Sequence, residues 1–205
     1  MIKKIEKIAK GLLILALVGL LIVWTLPPEP ASSHTVTATV ATIVTCTTPL
    51  SETAFGTIDN TAVYTSSPDA TTTVDSNTSV YMRVYDVGGP DATGTPSLYK
   101  SAAPTDNIGS ADASYADTAT LVDGTEGYGI QATTTGANMV IAPRFLKTGN
   151  NVGGLEASST YSVLLASSSV AVSAEVINVI HKAAVPSTQT SGDYSDTITY
   201  TCTAS

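Results

Sequence analysis

Apolar residues recur at every second position in several separate stretches of this 205-residue chain, the period of a strand buried on one face. In Thr78–Val87 the alternation sets Val80, Met82 and Val84 on one side and Tyr81, Arg83 and Tyr85 on the other. Thr35–Thr47 alternates Val and Ala with Thr, and Tyr194–Thr203 carries Ile198 and Tyr200 in phase with Cys202. Further predicted strands are Thr53–Ile58, Thr71–Val74, Thr118–Val122, Gly127–Thr133, Met139–Leu146, Thr160–Ala166 and Ala174–Ala184. Val163–Ile180 contains helix formers, but Val170, Val172, Val176, Val179 and Ile180, with no helix caps, favour strands. The predicted breakers are residues 88–96 (GGPDATGTP), 104–112 (PTDNIGSAD), 133–138 and 148–154. Gly124, Gly127 and Gly129 read as a turn running into a strand. Roughly eight to ten short strands joined by turns predict an all-β fold, an immunoglobulin-like Greek-key β-sandwich over residues 34–205, with a small barrel as the alternative.

A different kind of pattern precedes this in residues 1–33. Lys3, Lys4, Lys7 and Lys10 form a positive head, Gly11–Leu26 is uncharged and apolar, and Ala31-Ser32-Ser33 is a small-x-small end. These are the parts of a secretion signal. The run falls short of the roughly 20 residues a comfortable span needs, so residues 1–33 are read as a signal cleaved after Ser33 or as a retained single helix touching the membrane through residues 11–26. Either way residues 34–205 are expected outside the cytoplasm, extracellular or at the cell surface. Without the leader the net charge is −10, against −8 for the full chain. Such a surface repels phosphate backbones, which argues against nucleic acid as a partner.

Export changes the reading of the two cysteines. Cys46 and Cys202 each lie in phase with the apolar face of their own strand, so one disulfide is expected, with two buried free thiols as the alternative. Zinc would need two more ligands at close spacing, and the only histidines are His34 and His181. His181 sits in an apparent strand and reads as an ordinary strand histidine. No nucleophile elbow, phosphate-cradling loop or zinc-helix motif is present, so no catalytic role is expected. Asp86 and Asp91 flank a Gly-Gly-Pro turn, and Asp106 and Asp112 cluster in another loop; a structural calcium site is weighed there against solvated turn carboxylates. Asn77-Thr78-Ser79 is a glycosylation sequon. Tyr81, Tyr85, Tyr99, Tyr115 and Tyr128 are either a sugar-binding face or simple sheet cover.

Two segments carry a resemblance. VTATVATIVTCTTPLSETAFGTID (residues 36–59) and SGDYSDTITYTCTAS (191–205) resemble the opening and closing strands of spore-coat-U and archaic chaperone–usher pilin domains. The central segments are similar to exported surface proteins of candidate-phylum bacteria. Cys202 departs from the pilin pattern, which carries an apolar or aromatic residue there. The resemblance implies an incomplete immunoglobulin-like sandwich completed by a strand from the next subunit, with Val36, Ala38, Val40 and Val44 as donor face; alternatively they are the first strand of their own domain. The expected function is a self-associating fibre, pilus or coat subunit, and the alternative is a membrane-anchored binding module recognising a glycan or partner protein through its loops.

Overall fold

The computed structural model describes residues 35–49, 52–87, 96–100, 103–110, 118–156 and 162–205, and among these the protein is all-β with no helix. The positive head, the apolar run 11–26 and the expected cleavage point lie outside the described residues. In chain order the strands are β1 (Val44–Thr47), β2 (Tyr64–Thr65), β3 (Ala70–Ser76), β4 (Val80–Asp86), β5 (Ser97–Lys100), β6 (Ala103–Gly109) and β7 (Thr118–Thr120). They continue as β8 (Gly127–Thr134), β9 (Val140–Ile141), β10 (Asn151–Gly153), β11 (Val163–Ser168), β12 (Val172–Ala184), β13 (Tyr194–Ser195) and β14 (Ile198–Ala204). One sheet has the order β1-β3-β12-β8-β10-β7, with β2 also beside β12; a second runs β14-β4-β11-β9, and a small third runs β13-β5-β6. The strand pairs are antiparallel.

The period of two becomes burial. β4 buries Val80, Met82, Val84 and Asp86, β3 buries Ala70, Thr72, Val74 and Ser76, and β12 buries Ile177, Val179, His181 and Ala183. One apolar cluster draws Val74, Ile130, Ile177 and Val179 from the first sheet and Val80, Met82, Val84 and Leu165 from the second, so the two large sheets share a core. Each such side chain contributes about 1.5–3 kcal/mol on full burial. Cys46 and Cys202 are disulfide-bonded, Cα atoms 5.8 Å apart, and tie β1 at the edge of the first sheet to β14 at the edge of the second. Ala41–Ser205 form one compact unit.

Several predicted elements need correction. The expected strand Thr35–Thr47 contracts to Val44–Thr47, and Val36 and Val40 are 83% and 82% exposed. The reason lies at the end of β3. The last β1–β3 pair is Val44 with Ser76; beyond it Asn77 N donates to Ile43 O (3.2 Å), and the Asn77 side chain accepts from Ile43 N (2.9 Å) and donates to Ala41 O (2.8 Å). The sequon asparagine is thus an end-stop for the ladder. Thr53–Ile58 keeps only a single bridge, Ala54 to Ser67. Met139–Leu146 contracts to Val140–Ile141 because Pro143 has no N–H to continue a ladder, and Phe145 turns into the core. Conversely, the breaker at 104–112 contains β6, which pairs with β5 and buries Ile108. The Gly124 turn (φ 73°) does run into a strand, and there a Cβ on Gly129 would sit 2.6 Å from Val152 Cγ2.

Candidate functional site

Two diagonal pairs of polar residues, one from each large sheet, converge at one end of the shared core. In β12 and β8, His181 is opposite Ile130 and Tyr128 is opposite Ala183, so Tyr128 and His181 are diagonal neighbours on one face. Their rings stack with centroids 5.9 Å apart, and the Tyr128 hydroxyl lies 2.8 Å from His181 Nδ1. His181 is held by its backbone: its N–H donates to Ser66 Oγ, and its carbonyl accepts from Ser66 N. In β4 and β14, Asp86 is opposite Ile198, and Asp196 lies two residues before Ile198, in phase with it and with Tyr200. This register brings the Asp196 and Asp86 carboxyls within hydrogen-bonding reach of each other, and Asp196 within reach of the Tyr128 hydroxyl. Asp86 is fully buried and accepts from Ser97 N at 2.7 Å.

The electrostatics follow from burial. Loss of solvent pushes His181 down to about 4, so its ring is neutral at physiological pH. Desolvation, then the neighbouring Asp86, raises Asp196 far above the usual carboxylate range, so this carboxyl keeps its proton. Burial and the nearby carboxyls likewise hold Tyr128 and Tyr200 in the phenol form. Thr197 N donates to Asp196 Oδ1 at 2.6 Å, whereas buried Oδ2 has no hydrogen-bond partner among the described residues. Protonation lets the carboxyl donate from that oxygen but leaves it without a partner in the free protein. His181, Tyr128, Asp196 and Asp86 thus form one buried polar cluster, with a proton held on Asp196.

Tyr128, His181 and Asp196 of this cluster line an open groove of about 1200 Å³, above the ~300–1,000 Å³ usual for small-molecule sites. Residues 52–60 form one wall and 189–200 the other; Tyr128, His181 and Ala70 come from the first sheet, Leu98 and Ile108 from the third. Phe55 meets the Tyr128 ring edge-on, centroids 6.4 Å apart. Thr53 Oγ1, Asp196 Oδ2 and Tyr200 OH are buried with no hydrogen-bond partner among the described residues, and all three residues line this groove. Leaving a buried polar group unmatched costs about 1–3 kcal/mol, so three on one cavity are unusual.

The residues singled out from sequence are dispersed. Asp86 is in the core and not in a solvated turn, and Asp106 accepts from Thr190 Oγ1 (2.9 Å) with Lys100 Nζ 3.8 Å away. Asp91 and Asp112 lie outside the described residues. Among the described residues no group of three or more His, Cys, Asp or Glu is placed to hold a metal, and Asp86 and Asp106 have separate surroundings. The tyrosines do not share a face: Tyr128 is in the core, Tyr81 is exposed on the outer side of β4, and Tyr115 is outside the described residues. Val36, Ala38 and Val40 precede β1 in no strand, and Val44 opens it. Asp196 was not among the expected site residues, although its spacing from Ile198, Tyr200 and Cys202 already put it on the inward face. No family model matches the chain, and no similar curated protein is found.

Proposed function

We propose that the protein is an exported surface module, an immunoglobulin-like Greek-key β-sandwich that binds a ligand in the groove between residues 52–60 and 189–200. The observation that carries this reading is the convergence of Thr53 Oγ1, Asp196 Oδ2 and Tyr200 OH, all buried and unmatched, on one open cavity. The disulfide between Cys46 and Cys202 is in keeping with an oxidising compartment. A groove lined by hydroxyls and apolar side chains has the make-up of a recognition site. The test is an overlay of tagged full-chain protein on printed polysaccharides and surface proteins, beside the groove-filling variant Ala54→Trp. The reading expects at least one captured species that the variant no longer holds; identical patterns for both proteins refute it.

A second reading has its own observation. Residues 35–43 carry Val36, Ala38 and Val40 at alternate positions, exposed and outside any strand. Such a segment can add to a sheet edge of another copy, as in a fibre, pilus or coat subunit. On this reading the full chain forms laddered, heat-stable oligomers that disappear when residues 35–43 are deleted. A chain that stays monomeric at high concentration rules it out.

A further inference from the structure

The groove's unmatched atoms also restrict the chemistry of what fills it. Two of the three, Thr53 Oγ1 and Tyr200 OH, are hydroxyls, able both to donate and to accept; the third, on a protonated carboxyl, donates as well. An ammonium only donates and would leave the carboxyl proton unmet; a carboxylate or phosphate could accept from all three, so against an anion only charge argues. A ligand hydroxyl complements all of it. Charge points the same way. Among the described residues the lining includes Glu52, Asp59, Asp193 and Asp196 but no Lys or Arg, so an anionic polymer would be repelled. The floor carboxyl that would attract a cation is neutralised by its own proton. The apolar part of the lining, Phe55, Ile58, Leu98, Ile108, Tyr194 and Ile198, suits the C–H faces of a ring. The groove is open, and its volume of about 1200 Å³ leaves room for more than one sugar ring.

We infer that the groove binds a segment of a neutral, hydroxyl-rich glycan, with Thr53, Asp196 and Tyr200 reading its hydroxyls and Phe55 and Tyr194 packing on its rings. This rests on the binding-module reading above. The experiment is calorimetric titration of the full chain, held in a detergent without a sugar head group. The probes are cellotriose, maltotriose, laminaritriose and mannotriose, with trigalacturonate and trilysine as the acidic and basic counterparts. Saturable binding of at least one neutral trisaccharide is expected, and of neither charged probe. Tyr200→Phe should weaken it about tenfold, the usual cost of a hydroxyl contact that the variant no longer makes. Because that hydroxyl has no partner in the free protein, the same variant should unfold at an unchanged or higher urea concentration, which separates lost recognition from lost folding. Asp196→Asn, a neutral isostere of the protonated acid, should stay within about threefold, whereas Asp196→Leu should lose about tenfold or more. Charged probes binding as tightly as the neutral ones, or neutral binding indifferent to Tyr200→Phe, overturns the inference. So does failure of all four neutral probes. If that failure is accompanied by capture of a protein or an acidic polymer that Ala54→Trp abolishes, the ligand class alone is wrong. If no capture depends on the groove, the binding reading falls with it.

Discussion

The proton held between the sheets should be visible in the pH dependence of stability. His181 in the folded protein loses its proton near 4, whereas in the unfolded chain it does so near 6.5. Between those values the unfolded chain binds the extra proton, so His181 makes stability rise with pH, by about 3 kcal/mol over the window. Asp196 acts in the opposite sense. Its folded carboxyl is raised from an ordinary 3.8 to about 9, so above about 4 the folded state holds the proton that the unfolded state has released. Stability from this group is therefore present at low pH and is lost as pH rises towards 9. From about 4 to 6.5 the two slopes cancel, each near 1.4 kcal/mol per pH unit, and above 6.5 only the Asp196 slope remains. The wild type should show a plateau followed by a fall of up to about 3 kcal/mol by pH 9. Asp196→Asn removes the fall and uncovers the rise from 4 to 6.5 that the aspartate had hidden. The assay is urea unfolding of the oxidised full chain, followed by near-ultraviolet circular dichroism, at half-unit steps from pH 4.5 to 9. Taking the difference between wild type and variant cancels the other titrating groups. A wild type whose stability is level or rising from 6.5 to 9, or a variant that keeps the fall, refutes the assignment of the proton to Asp196.

Three further outcomes are expected. Replacing both Cys46 and Cys202 with serine opens a loop closed across a sequence separation of 156 and should lower stability by up to about 5 kcal/mol, read as a fall in the urea midpoint at constant slope. Glu175→Ala should cost about 1–3 kcal/mol by the same measurement, because the buried carboxylate accepts from Met139 N (2.7 Å) and Asn138 N (3.0 Å) at the 135–139 turn. Asn77→Ala should cost about 1 kcal/mol, and hydrogen exchange at the Ile43 amide should speed up while that of Val74 in mid-β3 stays protected.

Period-two patterning was enough to establish an all-β chain and the inward faces of β4 and β14, because a strand facing a core must alternate whatever its partner is. The pairing of the two cysteines was legible for the same reason, since both lie in phase with apolar neighbours. The pattern also held more than it was asked for. Carried two residues past Val84 it buries Asp86, and carried two residues back from Ile198 it turns Asp196 inward. Reading Asp86 as a turn residue and passing over Asp196 followed residue type where phase was the stronger guide.

Partners across the sheet, by contrast, are not written in any local window. That Thr35–Ile43 stays out of the ladder depends on where β3 stops, and that the polar stretch of β6 forms a strand depends on β5 beside it. The buried polar cluster and its groove are a matter of register. Shifting β14 against β4 by one residue would send Asp196 to the other face, and no carboxyl would meet Tyr128. Residue types and spacing set which side chains could be buried; only the antiparallel registers of β8 with β12 and β4 with β14 decided that four of them would meet, and so where the proton and the groove would lie.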